Sequence, residues 1–410
     1  MPRSSGLIVC VLSGALAACG GGPSEPITAL PRQLTVGEQK LIATGNTFAF
    51  KFFGEVVRQG NPDSNVFVSP LSAAMALGMT YNGARGETQT AMAQTLGLDQ
   101  LTTQEANESF QSLIALLRGL DGKVDFRLAN SIWYRLGLAP RPEFLDVNRQ
   151  YFDAEVRGLD FANPEAVTTI NNWANDNTNG KIPKIIDAID PSLVMFLINA
   201  IYFKGSWVHQ FDKSLTRDDP FTLRSGAQAS VSTMRHAEAV SLNLYQGDGF
   251  EVVDLPYGGG AFSMTIVLPA EGREVDSVVA GLSPEAWNAI LDGLHAGDAI
   301  VIMPKFKLEW GDSLNAVLRS LGMGIAFTDR ADLSGIAGNP GDLFISFVRQ
   351  NTFVDVNEEG TEAAAVTTVG VGVTSVPMVH EVHVDRPFVF LIRERFSGTI
   401  LFMGKIMNPA

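Results

Sequence analysis

Residues 352–377 constrain this chain more than any other stretch. Thr352-Phe353-Val354-Asp355-Val356 is a good strand former, and it runs into Glu358-Glu359-Gly360-Thr361-Glu362-Ala363-Ala364-Ala365. That second segment has a polar, loop-like composition, yet small side chains stand at every alternate position. Thr361, Ala363, Ala365, Thr367 and Val369 would share one face of an extended chain, and none of them is large. A face of that kind can slide between two packed strands without a clash. The residues that follow, Val366 to Pro377, are apolar, weakly charged and softened by Gly370 and Gly372. Such a segment is an aggregation-prone strand former and a peculiar choice for an exposed loop. The plainer alternative is one ordinary β-hairpin with a small-residue arm.

With 410 residues, 46% of them hydrophobic, the chain can build one large domain or two ordinary ones. Its net charge is −14, and no cluster of five or more basic residues occurs. Both facts argue against nucleic acid or a heparin-like polyanion as a partner. Near the N-terminus, Arg3 precedes an apolar stretch from Leu7 to Ala18 that is too short to span a bilayer. Leu16-Ala17-Ala18-Cys19-Gly20 resembles the bacterial lipoprotein signal, in which a Leu and two small residues precede a Cys. That resemblance implies removal of residues 1–18 as a signal peptide and lipidation of the Cys19 thiol. A simple secretory signal, cut after a nearby small residue, is the other reading. Cys10 and Cys19 are the two cysteines of the sequence, so the mature chain would hold no disulfide. Gly20 to about Arg32 is rich in Gly, Pro and Ser, so residues 19–35 read as a flexible tether to the membrane. Gly20 directly after the Cys, rather than Asp, points to an outer membrane. The expected location is extracytoplasmic: the periplasm and outer membrane, or the cell surface.

From Gly37 onward, Leu41, Ile42, Phe48, Phe52, Phe53 and Val56 recur at helical spacing. A short strand over 65–68 leads to Ser69-Pro70, a helix start with a capping Ser and a Pro at the first helical position. Further helices are expected near 87–96, 103–120, 142–152 and 166–178. Residues 124–134 alternate as a strand, and Leu193 to Phe203 is a continuous apolar run of the kind buried on both faces. The second half reads mostly as strands: 229–234, 239–245, 250–256, 261–268, 299–307, 343–356, 382–393 and 399–406. Helices near 276–280, 284–293 and 313–321 interrupt them. Helices first and antiparallel strands later make an α+β arrangement, and no linker divides residues 36–410, which read as one domain.

Several stretches then fall into a known order. They are Asn65-Val66-Phe67-Val68-Ser69-Pro70-Leu71-Ser72, Gly83-Ala84-Arg85-Gly86-Glu87-Thr88, and Asn199-Ala200-Ile201-Tyr202-Phe203-Lys204-Gly205-Ser206-Trp207. Val356 to Ala365, Arg386 to Ile392 and Leu401 to Ile406 complete the set. In this order and spacing the chain resembles the serpins, over essentially all of 36–409. The resemblance implies a fold of three β-sheets with eight or nine helices and an exposed reactive-centre loop. It implies a serine-type endopeptidase inhibitor, itself not an enzyme and without cofactor, that works as a suicide substrate. A serine or cysteine protease attacks a loop carbonyl, forms an acyl-enzyme, and is dragged and distorted as the loop inserts into the large sheet. The native form is implied to be a monomer that stores strain.

Residue by residue, the resemblance makes Glu358 the first hinge residue and Gly360 the pivot. Thr361, Ala363, Ala364 and Ala365 form the insertable hinge. Counting from Glu358, the seventeenth residue donates the attacked carbonyl, so Thr374–Ser375 is the expected scissile bond, within the margin Val373–Val376. Counting back from Pro387 favours Val376 instead. No Arg or Lys lies between Glu362 and Val379. A trypsin-like target is therefore disfavoured, and an elastase- or subtilisin-like protease with a small apolar pocket fits better. Trp207 and Lys204 match the breach, where the loop first meets the sheet. Ser69, Ser72 and Asn199 match the polar shutter beneath its central strands. Gln350 stands where the family usually places a His, so a His-dependent pH response is not expected there.

Gly311-Asp312-Ser313-Leu314 spells the signature of one lipase and esterase class. That class needs Asp-x-x-His after the serine, but Asp292-Gly293-Leu294-His295 precedes it. A helix start capped by Asp312 or Ser313 is the expected structural role. Five histidines outside ligand spacing make a metal site unexpected. The remaining alternative is a non-inhibitory serpin serving as a surface binding or scaffold protein.

Overall fold

Caps and amphipathic spacing place helices over the first part of the chain. The computed structural model describes residues 26–190, 193–361 and 379–410. Helix α1 (Val36–Gln59) opens with a capping box in which the Thr35 hydroxyl accepts the Glu38 N–H and the Glu38 carboxylate accepts the Thr35 N–H. Its buried stripe includes Leu41, Phe48, Phe52, Phe53 and Val56. Helix α2 (Pro70–Tyr81) starts at Ser69, whose hydroxyl accepts the Ser72 N–H, with Pro at the first position. Helices α3 (Gly86–Leu96), α4 (Thr103–Gly119), α5 (Pro142–Phe152) and α6 (Glu165–Asn177) follow. Helices α7 (Val275–Gly281), α8 (Pro284–Gly293) and α9 (Asn315–Leu318) interrupt the strands later, which makes nine among the described residues.

The first strands are β1 (Val66–Val68), β2 (Val124–Arg135), β3 (Ala154–Leu159), β4 (Met195–Ser206), β5 (Arg217–Thr222) and β6 (Gln228–Arg235). Next come β7 (Val240–Gly247), β8 (Phe250–Tyr257), β9 (Phe262–Pro269), β10 (His295–Pro304), β11 (Phe306–Ser313) and β12 (Arg349–Asn357). The last four are β13 (Gly360–Thr361), β14 (His380–His383), β15 (Phe388–Glu394) and β16 (Ile400–Ile406). One sheet has the order β11-β12-β13-β4-β2-β3. The other runs β1-β16-β15-β9-β8-β7-β10-β6-β5, with β14 added on β10. The three expected sheets thus appear as two continuous ladders. Strand β10 is the cause, because its first half pairs with β7 and its last residues pair with β6.

The six-stranded sheet is the middle layer. On one face Phe126 and Phe203 pack on Phe262 of the large sheet, at ring separations of 6.3 and 5.7 Å. On the other face α6 lays Ile170 and Trp173 over Trp133 and Phe196. This double burial accounts for the uninterrupted apolar run of β4.

Several expected boundaries move. Strands β3 and β5 have no expected counterpart: β3 is an edge strand with only Ala154 buried, and β5 carries Pro220 at an edge. The strand expected over 299–307 is two strands, since the chain leaves one sheet at Pro304 and enters the other at Phe306. Strand β11 runs through Ser313, so neither Asp312 nor Ser313 caps a helix; α9 starts at Asn315 without a side-chain cap. The strand expected over 343–356 begins only at Arg349, and the run 382–393 is split into β14 and β15. The described end of the expected tether lies on the body of the protein. Ile27 donates to the Gly259 carbonyl at 2.7 Å, and Leu30 and Leu34 pack on the core. Among the described residues no helix is long and apolar enough to cross a membrane.

Candidate functional site

Strand β13 is two residues long, and it is the centre of the site. Gly360 and Thr361 pair antiparallel with Asn357 and Val356 of β12 on one side, and with Ser206 and Gly205 of β4 on the other. Gly360 has φ of 152°, and a Cβ there would lie 2.6 Å from the Ser206 Cα. Both the angle and the close backbone approach require glycine. Gly205, opposite Thr361, is constrained by packing alone, since a Cβ on it would sit 3.1 Å from the Tyr257 ring.

The side chain of Thr361 turns into the core. Its hydroxyl lies 2.6 Å from the Tyr257 hydroxyl, and both groups are buried. The Tyr257 ring stacks on Trp207 at 4.3 Å with planes 16° apart. Burial pushes the Tyr257 phenol far above its usual range, so it stays a neutral hydrogen-bonding partner. Trp207 donates its indole N–H to the Asn357 carbonyl and its backbone N–H to the Glu359 carbonyl, each at 2.9 Å. Phe211 donates its backbone N–H to the Glu358 carbonyl at 2.9 Å. The segment 357–361 is therefore held by its backbone along the whole connection that follows β4.

Charges complete the hold. Glu358 accepts from the Thr216 hydroxyl at 2.7 Å and pairs with Lys305 at 3.0 Å. Burial raises its carboxyl pKa, but the Thr216 hydroxyl, its own backbone and Lys305 together hold it below the ordinary value of 4.5. Glu359 pairs with Lys213, whose pKa is raised by that hydrogen bond. The cations that meet the hinge carboxylates are thus Lys305 and Lys213. Lys204, expected at this place, stands on β4 opposite Asp125 of β2.

Beyond Thr361 the two neighbours of β13 face one another without a ladder among the described residues. Strand β4 continues from Lys204 to Met195, paired among the described residues only with β2, and β12 continues from Asp355 to Arg349, paired among them only with β11. A small cavity between Ile201–Phe203 and Phe353–Asp355 lies directly past Thr361. A larger one, about 120 Å³, follows between Met195–Asn199 and Leu343–Asn351. The slot has the direction and register that a longer β13 would need.

Three of the four expected shutter residues line that larger cavity. Ser72, Asn199 and Gln350 all contribute to its wall, with apolar surface from Leu77, Ile345 and Phe347. Gln350 clamps the Ser69 backbone from both ends: its Oε1 accepts the Ser69 N–H at 3.0 Å, and its Nε2 donates to the Ser69 carbonyl at 2.8 Å. The Ser69 hydroxyl donates to the Leu401 carbonyl at 2.7 Å. Asn199 belongs to a second group. Its Nδ2 donates to Asn130 Oδ1 at 2.7 Å, and Asn130 donates to the Phe152 carbonyl at 2.6 Å. The Asn199 Oδ1 is buried without a hydrogen-bond partner among the described residues. Ala363, Ala364 and Ala365, the expected bond Thr374–Ser375, and Cys19 lie outside the described residues.

Tyr257, Phe211, Thr216, Lys213, Lys305 and Asn130 are site residues that sequence reasoning missed. Each meets its partner from far along the chain, and none stands in a local pattern. The Asp-paired serine of the lipase-like signature, Ser313, sits in the β11–β12 ladder opposite Arg349, while His295 opens β10 in the other sheet.

With this geometry in place, comparison with known proteins is specific. Residues 43–409 match the family model described as serpin (serine protease inhibitor). The chain is 36% identical over 382 residues to the leukocyte elastase inhibitor of Sus scrofa, covering 90% of this chain and all of that protein. It is similar to the thermophilic serpin tengpin in its native state, with a TM-score of 0.82, 31% identity, and coverage of 94% of this chain and 97% of that one. It is also similar to human thyroxine-binding globulin complexed with thyroxine, with a TM-score of 0.83, 30% identity, and coverage of 91% and 100%. The chain belongs to the serpin family.

Proposed function

We propose that the chain inhibits a serine or cysteine protease as a suicide substrate, with an elastase- or subtilisin-like enzyme as its target. The protease nucleophile attacks the Thr374 carbonyl carbon, the Thr374–Ser375 amide bond breaks, and the Ser375 amine leaves. An acyl-enzyme then joins the protease to the hinge side of the loop. Residues from Glu362 onward extend β13 between β4 and β12. Each new ladder hydrogen bond contributes about 0.5–1.5 kcal/mol net. Deacylation needs a positioned base and oxyanion donors, and loss of one donor slows such chemistry on the order of a hundredfold or more. A protease pulled and deformed by the moving strand therefore keeps its ester.

The observation that carries this reading is β13 itself, two residues already paired at the head of a slot that no described residue fills. The absence of Arg and Lys between Glu362 and Val379 supports a small-pocket target, as does the name of the Sus scrofa relative. We assign the protein to an extracytoplasmic membrane surface, in the periplasm and outer membrane or at the cell surface, as a monomer held through lipid on Cys19, with neither nucleic acid nor a polyanion as partner. Incubation with pancreatic elastase and with subtilisin, followed by denaturing electrophoresis, tests the inhibitory reading. A covalent adduct is expected. Clean loop cleavage with no adduct would overturn it and favour a non-inhibitory binding protein.

A further inference from the structure

We propose that His236 is an acid-sensitive latch that ties together the two roots of the reactive loop. The ring sits between the strand that carries the far root and the connection that holds the hinge. Its Nδ1 accepts the Val301 N–H of β10 at 3.3 Å, and its Nε2 lies 3.2 Å from the His209 carbonyl, to which it donates. Val301 is the β10 residue opposite Val382 of β14, the strand that receives the chain after the loop. The imidazole face stacks on Phe211 at 4.2 Å with planes 12° apart. Phe211 in turn donates its backbone N–H to the Glu358 carbonyl. One neutral imidazole therefore contacts the support of both ends of the loop.

Neutrality is required by the geometry. Two N–H groups cannot point at one another, so a proton on Nδ1 abolishes the Val301 bond. The Phe211 face attracts a cation, but it does not offer the Val301 N–H an acceptor. The ionisable groups around the ring are few. His209 lies on the adjoining connection, and burial lowers its pKa as well. Arg235, next in the chain, turns its guanidinium to Asp219, and Asp212 caps the turn at Ser214. The Glu358 carboxylate faces Thr216 and Lys305. Strand β10 brings no charge between Ala299 and Met303. Among the described residues no carboxylate therefore stands against the ring to favour its proton, and burial pushes His236 down to about 4.

The sign follows. A state in which the connection 207–212 has opened regains a histidine near the ordinary 6.5. Opening then binds a proton between pH 6.5 and 4, and its equilibrium grows by up to about tenfold per pH unit on falling through that window. Hydrogen exchange of the peptide 205–213 in the full chain, corrected for intrinsic rates, reads this opening without any protease. Wild type is expected to show that slope. His236→Gln, which donates and accepts but does not titrate, is expected to keep only the smaller slope that His209 contributes on the same connection, and the double variant His209→Gln, His236→Gln is expected to be flat. A variant that retained the wild-type slope would overturn the proposal. Should His236→Gln not fold, NMR of wild-type chain carrying 15N-histidine decides instead. A His236 midpoint well below 6.5 supports the latch, and a midpoint at or above it refutes it.

Discussion

Gly360 is glycine for two reasons that act together, its positive φ and the backbone of β4 against its α-carbon. Beside it, Thr361 and Tyr257 exchange one buried hydrogen bond. Tyr257→Phe would strand the Thr361 hydroxyl, at a cost of about 1–3 kcal/mol. The urea midpoint should fall by the corresponding amount, and an unchanged midpoint would show that the hydroxyl finds another partner. Glu358 makes a pH prediction. Its folded pKa lies below the ordinary carboxylate value, so the unfolded chain takes up the proton first as pH falls. The stability it contributes is present above the ordinary value of 4.5 and is lost as pH falls below it. Glu358→Gln should therefore flatten part of the acid limb of the stability curve, measured by urea unfolding from pH 6 to 3.

At the scale of elements, β13 and the slot below it form one device. Thr361 faces the core between Gly205 and Val356, so Thr361→Arg would force a cation into apolar surroundings. Ala363→Pro would remove a ladder donor two residues further on. Both variants are expected to be cleaved at the wild-type rate while adduct formation falls at least tenfold, measured as the ratio of cleaved inhibitor to adduct on denaturing gels. Trapping at wild-type efficiency would sink the insertion mechanism. The start of the hinge at Gly360 and Thr361 was legible in the sequence because its demand is local: a glycine with a small residue after it. Helices α1, α2 and α4 were legible for the same reason, with caps and apolar stripes written in consecutive residues. The lock was not legible. Tyr257 stands 104 residues before Thr361 and looks like any strand-end tyrosine. Lys305 and Lys213 read as ordinary surface lysines until the fold brings Glu358 and Glu359 beside them. Gln350 was legible as a position but not as a clamp, because its partner is the Ser69 backbone. Strands β3 and β5 escaped notice because edge strands carry little hydrophobic pattern.

At the scale of the whole molecule, Cys19 and the loop lie far apart in sequence and make separate predictions. Cys19→Ser should abolish incorporation of labelled palmitate and move the protein from the membrane pellet to the soluble fraction. Retention in the pellet would place the anchor elsewhere. Cutting the loop should raise the thermal unfolding temperature well above that of the intact chain, read by calorimetry, because the inserted strand adds a full ladder to the middle layer. No rise would mean that the slot stays empty after cleavage. The two rungs of β13 have one more consequence. A zipper with its first teeth engaged need not search for alignment; it can only close in the register already chosen. Obstacles should then matter by their order along the track. One placed beside Thr361 stops travel at the outset, whereas one placed near the far end lets the passenger ride most of the way before it stalls.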